Sequence, residues 1–512
     1  MIRPFTKSFI CCIALGISLF FTNQNLVAQI WNQISKVVAA DRSTYTNFGN
    51  SVAISGDYAI IGAYMKDEYV GGNLLPDVGV AYIFKRTGST WLQEAKLLSS
   101  NRSWYDLFGN SVSIDGDYAI VGAYSENEGL RSGAGAAYIF KRTGTTWLQE
   151  AKVVAPDRQT IDEFGTSVAI SGNYAIVGAK QGFRDTAFIS AGAAYIFKRT
   201  GTIWEQEAKI VASDRAAGDR FGHTVAISGD YAIVGARNEG EDSSGRNTLV
   251  SAGSAYIFKR TGTGWEQEAK IVASDREMGA LFGRSVAISG DYAIVGAFKE
   301  DKDAIGVNAS TDAGAAYIFK RTGTNWTQEA KIVASDRAAL DEFGYSVAIN
   351  GDVAVVGLPA RNFAYVFKRT GTTWTQESKI VGSDRTTLDW FGGSVAINND
   401  VIIVGAESDS KVTTSSDILQ GAGSAYFFQR QTTNAVTDMD NHDLKIYPNP
   451  VSTTLRIETE LGNDYQITNI LGQTILRGQI TPSATSGIDV SVLASGTYIL
   501  KIGQEQTKFV KQ

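Results

Sequence analysis

The chain has 512 residues, 44% of them hydrophobic and 20% charged, with a formal net charge of −6. A mildly acidic balance argues against general nucleic-acid binding, which needs an excess of basic groups facing phosphates. The two cysteines, Cys11 and Cys12, both fall in the first apolar stretch; without that stretch the chain has no thiol for a disulfide, a nucleophile or a cysteine-ligated metal.

Residues 1–28 read as a secretory signal peptide. Arg3 and Lys7 supply the positive flank, and Ser8 to Phe21 is an apolar stretch too short to span a bilayer comfortably. Leu26-Val27-Ala28 fits a cleavage site that leaves Gln29 first. A membrane anchor is the competing reading. A lipoprotein fits less well, because no small-residue lipobox precedes Cys11 and Cys12. Loss of Arg3 and Lys7 with the signal takes the charge from −6 to −8.

One phrase then returns seven times. It first reads Phe48-Gly49-Asn50-Ser51-Val52-Ala53-Ile54-Ser55-Gly56-Asp57-Tyr58-Ala59-Ile60-Ile61-Gly62-Ala63, and it recurs from Phe108, Phe164, Phe221, Phe282, Phe343 and Phe391. A period of this size, filled with short apolar runs, marks an array of one repeated unit. In the unit from Phe221, Val225-Ala226-Ile227 and the turn Ser228-Gly229-Asp230 lead into Tyr231-Ala232-Ile233-Val234-Gly235-Ala236, an almost unbroken apolar run expected of a strand covered on both faces. A polar loop follows, then Ala255-Tyr256-Ile257-Phe258, the turn Lys259-Arg260-Thr261-Gly262, and an alternating run from Trp265 to Val272. That run predicts an outer strand with Glu266, Glu268 and Lys270 together on a face in water.

Four strands per unit and seven units predict an all-β chain whose residues 29–430 form a seven-bladed β-propeller. The segment from Trp31 to Val38 has the pattern of a fourth strand, yet it precedes the first Phe-Gly. The last unit ends at Ala425-Tyr426-Phe427-Phe428 and has no fourth strand. The N-terminal strand is therefore expected to complete the seventh blade and close the ring, leaving no unpaired edge.

Residues that repeat in every blade are expected to be structural, and function to sit where the blades differ. The phased Trp31, Trp91, Trp147, Trp204, Trp265, Trp326 and Trp374 read as packing between blades. The recurring Ser213-Asp214-Arg215 segment reads as an Asp–Arg pair bracing its loop. The second-to-third loops vary most and share a face with the inter-blade segments, so that face is expected to hold any ligand site. The opposite face carries Lys85-Arg86, Lys141-Arg142, Lys198-Arg199, Lys259-Arg260, Lys320-Arg321 and Lys368-Arg369, a basic ring that is either a solvated rim or a contact for anionic glycans. No order of Ser, His and Asp or metal-ligand spacing points to catalysis. His223, a single departure after a Phe-Gly, reads as structural.

The phased Phe-Gly and Gly-Ala pairs resemble the FG-GAP repeat of the integrin α-chain propeller and, more closely, its bacterial relatives. That resemblance implies calcium held by an Asp-rich loop between the first and second strands. Here those turns are as short as Ser55-Gly56-Asp57 and cannot wrap an ion that takes six to eight oxygens. No metal site or cofactor is expected there. Acidic residues gather instead in second-to-third loops: Asp67 and Glu68; Glu239, Glu241 and Asp242; Glu300, Asp301 and Asp303. They are the candidate ligand-binding residues, with weak calcium binding and plain solvation as alternatives. Gly144-Thr145-Thr146-Trp147 resembles part of the sialidase Asp-box, but Arg142 stands where its Asp belongs.

Residues 431–442 read as a linker, and residues 443–512 as a small Ig-like β-sandwich of short alternating strands. Tyr447-Pro448-Asn449-Pro450, Asn469-Ile470-Leu471-Gly472-Gln473, Leu493-Ala494-Ser495-Gly496-Thr497-Tyr498 and the basic end from Lys508 to Lys511 resemble the type A C-terminal sorting domain of the type IX secretion system. The resemblance implies export across the outer membrane of a bacterium to the medium or cell surface, with the secretion machinery as partner. The expected function is a secreted or surface binding and adhesion module for a glycan or surface protein, without a transmembrane segment in the mature chain. The alternative is a propeller hydrolase acting on polysaccharide, whose carboxylate pair would come from distant loops.

Overall fold

The structure is a computed structural model and describes residues 31–182, 189–411, 418–431, 445–458, 464–469, 473–480, 486–502 and 505–512. The expected signal peptide, most of the expected linker and Ile470-Leu471-Gly472 lie outside the described residues. The chain forms two compact units that divide between Gln431 and Thr432.

The first unit is built of seven four-stranded antiparallel sheets. The fourth blade is typical: Thr224–Ser228, Tyr231–Ala236, Ser254–Thr261 and Gly264–Ile271. The seventh combines Phe391–Asn398, Val401–Ala406 and Ser424–Arg430 with Trp31–Val37 as its outer strand. That strand runs antiparallel from Trp31 opposite Arg430 to Val37 opposite Ala425, so the expected closure is present. Each blade interface has its own apolar cluster, and the closing one joins Phe48, Ile61 and Trp91 of blade one to Val37, Ile403 and Phe427 of blade seven. The second strands are buried at almost every position, as their unbroken apolar runs predict.

The fourth strands depart from the simple alternation. A β-bulge breaks the register between Ile257 and Phe258, which lie opposite Ala269 and Gln267. The extra residue, Glu268, turns away from water, and its side chain is only 9% exposed. It accepts a hydrogen bond from Trp326 Nε1 of the next blade at 3.1 Å. The Lys270 side chain, 6% exposed, is likewise buried. Of the three residues expected on the wet face, only Glu266 stays there. The bulge exists because one extra residue bends a strand locally and re-aims a side chain.

This Trp-to-Glu bond recurs for Trp147 on Glu94, Trp204 on Glu150, Trp265 on Glu207, Trp374 on Glu329 and Trp31 on Glu377. Blade seven breaks the pattern. Its outer strand has Ile34 in place of the Glu, and the Trp91 Nε1 is buried without a partner. The Trp91 ring instead stacks on Phe427, with centroids 4.1 Å apart and planes 10° apart. Phe427 stands where the other blades have Ile or Val. An apolar stack therefore replaces a polar bond where the two ends of the ring meet.

The Phe-Gly pair makes a turn at the inner end of each blade. The N–H of the residue after Phe-Gly donates to the carbonyl of the residue before it, as in His223 to Arg220 at 3.1 Å. Gly222 lies at φ +85, the conformation a type II turn requires at that position. The preceding Asp219 is buried and accepts the Ala216 N–H, and Asp106 does the same for Ser103.

The long loop of blade one contains a small hairpin, Glu68–Val70 with Asn73–Leu75, and the short loop of blade six a 3-10 turn, Pro359–Arg361. In the second unit, a three-stranded sheet (Lys445–Tyr447, Thr454–Glu458, Ser486–Asp489) and a four-stranded sheet share a core that includes Leu455, Ile467, Leu500 and Phe509. The final strand, Glu505–Lys511, pairs with Gly496–Ile502, so the basic end is part of a sheet. Tyr498, under Phe509, donates to the Ala494 carbonyl at 2.9 Å. Asn449 accepts the Val510 N–H at 2.8 Å.

Two predictions test this account. Trp31→Ala, which empties the interface that the closing strand completes between blades six and seven, should cost about 3–5 kcal/mol in denaturant unfolding; Trp31→Phe, which loses only the bond to Glu377, should cost about 1 kcal/mol. Burial raises the Asp219 and Asp106 carboxyls to about 7, helped for Asp219 by the charges of Glu239 and Asp214. A carboxyl raised in the folded state binds more protons there, so its contribution to stability falls as pH rises from about 4 to about 7. Asp219→Asn, which keeps the acceptor for Ala216, should raise stability at pH 8 by roughly 1–2 kcal/mol and leave it unchanged at pH 4, measured as unfolding midpoints at the two pH values.

Candidate functional site

Strand order sorts the loops into two faces. On the first, the basic ring is met by acidic groups. Arg142, Arg260, Arg321 and Arg369 each pair with the turn Asp of the same blade, Asp117, Asp230, Asp291 and Asp352. Each guanidinium also lies over a Tyr of the preceding blade, as Arg142 does over Tyr58 at 4.3 Å. Lys85, Lys141, Lys198, Lys259 and Lys320 lie 3.4–3.9 Å from the bulge Glu of the fourth strand. The ring is a network of short-range pairs that ties neighbouring blades together.

On the second face, the expected Asp–Arg pairs do not form. Asp275 accepts Tyr317 Oη at 2.8 Å and Lys331 Nζ at 2.6 Å, both from the following blade. Arg276 reaches back to the carbonyls of Gly240 and Asn247 in the preceding blade. The two residues pull in opposite directions and staple adjacent blades. Burial would raise carboxyls at this position, but the Lys and Tyr partners hold Asp41, Asp157, Asp336 and Asp384 below the ordinary range.

The acidic loop residues do not gather into one site. Glu68, Glu239 and Glu300 accept the Lys of the fourth strand, at 2.5 Å from Lys96, 3.2 Å from Lys270 and 2.9 Å from Lys331. Asp67 and Asp301 accept the N–H groups of Asp77 and Asp312. Asp242 and Asp303 each take several donors of their own loop, which hold both carboxyls below the ordinary range. Oxygens of Asp214, Glu239 and Glu241 lie within 4.8 Å of one another. The Lys270 ammonium sits 2.7 Å from Asp214 and 3.2 Å from Glu239, so a metal ion would have to displace it.

The chemistry that varies lies on the axis. A cavity of about 320 Å³ is lined by Asn50, Tyr64, Asn110, Thr166, Lys180, His223, Arg284, Tyr345, Trp390 and Glu407, with Gly49 and Gly393. Apart from Gly49, which belongs to a Phe-Gly pair itself, these residues occupy equivalent places: directly before Phe-Gly, directly after it, or directly after Gly-Ala. The places before Phe-Gly (Asn47, Leu107, Glu163, Arg220, Leu281, Glu342, Trp390) all have φ between 54 and 60. That left-handed conformation is uncommon for non-glycine residues and is stored where structure over-determines it.

The wall has three sectors. Asn50 donates to the Asn110 carbonyl at 2.9 Å, and Asn110 to that of Thr166 at 3.3 Å, giving a neutral polar arc. Phe298, Tyr345 and Trp390 form an edge-to-face series with centroids 5.6 and 5.9 Å apart. Between them stand Lys180, His223 and Arg284, with Arg220 and Arg237 close enough to act on His223. Burial and then the charges of Arg284, Arg237, Lys180 and Arg220 push His223 well below its usual range, so its ring is neutral at pH 7. Burial, then Arg284 and Arg220, lowers Arg237 to about 10. Lys180 is the one of these cations with a carboxylate partner among the described residues, Glu163 at 2.7 Å. Arg284 lies over the Tyr345 ring at 4.4 Å. Across the cavity, burial raises Glu407, and burial with the Glu407 charge raises Tyr64 to about 12.

His223 was visible in the sequence as a departure after Phe-Gly. Lys180, Arg237, Arg284, Tyr345, Trp390 and Glu407 were missed. Their signal was available, since they flank the repeated phrase at its only freely varying places.

The family model described as FG-GAP repeat matches residues 31–84, 91–140, 147–197, 204–258, 265–319, 326–367 and 374–428. The model described as secretion system C-terminal sorting domain matches residues 445–512. Comparison with curated proteins gave no match. A solved structure titled "Structure of U3-55K" is similar over 79% of this chain and 99% of its own, at 9% identity and a TM-score of 0.45. No helix among the described residues is long and apolar enough to cross a membrane. The tail marks a bacterial protein exported by the type IX secretion system to the outside of the cell or its surface. With one match on every blade, closing strand included, the chain belongs to the FG-GAP repeat family.

Proposed function

We propose that this exported propeller is a binding and adhesion module, and that its ligand enters the axial cavity from the face carrying the second-to-third loops. One observation carries the reading. Seven nearly identical blades bring different residues to the cavity: Asn50, Asn110, Thr166, His223, Arg284, Tyr345 and Gly393 at one position, and Tyr64, Lys180 and Glu407 at another. A rigid frame with varied residues around a concavity is the usual form of a binding site. The acidic loop residues from Asp67 to Asp303 shape the rim through their lysine and backbone bonds, and calcium has no part in this reading.

Binding is favoured over polysaccharide hydrolysis by the composition of the cavity. Glycoside cleavage uses two carboxyl groups about 5–9.5 Å apart. Among the described residues that line the cavity, Glu407 is the one carboxylate.

The test uses the full secreted chain on a glycan array and on intact bacterial surfaces, with product detection and with and without a calcium chelator. Asn110→Trp combined with Thr166→Trp should fill the cavity and reduce capture at least tenfold, with no product formed and no effect of chelation. Lys259→Ser with Lys320→Ser, on the opposite face, should leave capture unchanged. Capture lost only in the second variant would move the site to the basic ring, and released saccharide would make the protein a hydrolase.

A further inference from the structure

The cationic sector of the axial cavity is short of counter-charges. On the two faces many basic groups have carboxylate partners, as Arg260 has Asp230, Lys259 has Glu268, and Lys270 has Asp214 and Glu239. At the axis, Arg220, Arg237 and Arg284 form no ion pair among the described residues, and Lys180 alone is neutralised. The Nδ1 of His223 and the Nε of Arg237 are buried with no hydrogen-bond partner. Glu407 stands on the lining with Arg284, and Glu342 lies near enough to Arg284 and Lys299 to feel their charge. On the lining Arg284 stands with Glu407, and Arg220 and Arg237 add their charge near His223, so three guanidiniums outnumber the two carboxylates there. Unpaired buried donors and mutually repelling cations are costly unless something offsets them.

The neighbouring sector specifies more than charge. Tyr345 and Trp390 present aromatic rings beside Arg284, and Asn50, Asn110 and Tyr64 offer neutral polar groups across the cavity. Aromatic faces take the apolar side of a sugar ring, and amide and hydroxyl groups take its hydroxyls. The volume of about 320 Å³ is at the small end of ligand sites, enough for a sugar end-group and not for a polymer laid across it. Guanidinium groups are well suited to carboxylate and sulfate because their fork of N–H donors matches paired oxygens.

Resting on the reading of the axis as the ligand site, we propose that this cavity recognises a terminal acidic sugar, a single ring bearing a carboxylate or sulfate, with the anion against Arg284, Lys180 and His223 and the ring against Tyr345 and Trp390.

The experiment is titration calorimetry of the full secreted chain with galacturonate, galacturonate methyl ester, galactose 6-sulfate, galactose, inorganic sulfate and a peptide ending in glutamate. The expected result is binding of galacturonate or galactose 6-sulfate at least tenfold tighter than galactose and the methyl ester, and tighter than sulfate or the peptide. Arg284→Gln and Lys180→Gln should each weaken it about tenfold, with thermal midpoints within a few degrees of the parent. Trp390→Leu should weaken the acidic sugar and leave any binding of inorganic sulfate unchanged. Equal binding of charged and neutral sugars, or equal binding by sulfate or the peptide, would overturn the proposal. So would full affinity in Arg284→Gln. If the array ligand is neutral and its capture is lost in the cavity-filling variant, the acidic-sugar proposal fails and the axial site stands. If that variant captures as well as the parent, both fail.

Discussion

The ring depends on how closely backbone approaches backbone at its inner edge. A Cβ on Gly62 would lie 2.0 Å from the Gly109 carbonyl oxygen of the next blade, and one on Gly235 would lie 2.1 Å from that of Gly283. The same approach closes the circle, where a Cβ on Gly405 of blade seven would lie 1.9 Å from the Gly49 oxygen of blade one. No side chain fits there. The glycines of Phe-Gly and Gly-Ala are therefore set by one geometric demand: seven sheets must converge on an axis without colliding. The adjacent Phe can then be wholly buried against the Tyr and Phe of its own third strand, as Phe221 is against Tyr256 and Phe258.

The outer edge is held by a different kind of force. There the sheets have splayed apart, and directional polar contacts span the gap: Trp to Glu, Arg over Tyr, Asp to Lys and Tyr. Each individual pair at the surface contributes little. Their repetition around the ring, with several partly buried, makes them a scaffold rather than a set of isolated bridges. The seam shows how far this can bend. Ile34 replaces the Glu and Phe427 replaces Ile, so Trp91 loses an acceptor and gains a stacked ring. Changing both partners together avoids leaving a carboxylate stranded in an apolar interface.

Much of this was legible in the sequence. The strands, their number per blade, the closure by Trp31–Val37, the two faces and the tail all follow from local patterns: apolar runs, turns and phase. Three features were not legible, for one reason. The bulge at Glu268 depends on register with Ile257 and Phe258, which no alternation within the strand reveals. Asp275 and Arg276 look like a pair because they are adjacent, yet their partners lie 27 or more residues away, on opposite sides. The axial cavity is composed of residues from all parts of the ring, each unremarkable in its own blade. In the sequence the second-to-third loops are the most conspicuous places where the repeats differ. The places bordering the repeated phrase differ as well, and they line the axial cavity.

Those places combine two properties that rarely coincide. Their backbone is fully determined, since the turn bond, the positive φ before Phe-Gly and the contact with the neighbouring blade leave it no freedom. Their side chains differ from blade to blade and pack mainly on one another around the axial space, as Tyr345 does with Phe298 and Trp390. A residue such as Arg284 is thus placed by the whole ring while contributing little to holding it together. Preorganised groups of this kind lose little entropy on binding. That is also why cations can stand side by side there. The ring is held by the apolar clusters between its blades, which do not involve Arg220, Arg237 or Arg284. The same repulsion between Asp230 and a second acid in the outer network, where the charges do hold blades together, would work against the fold.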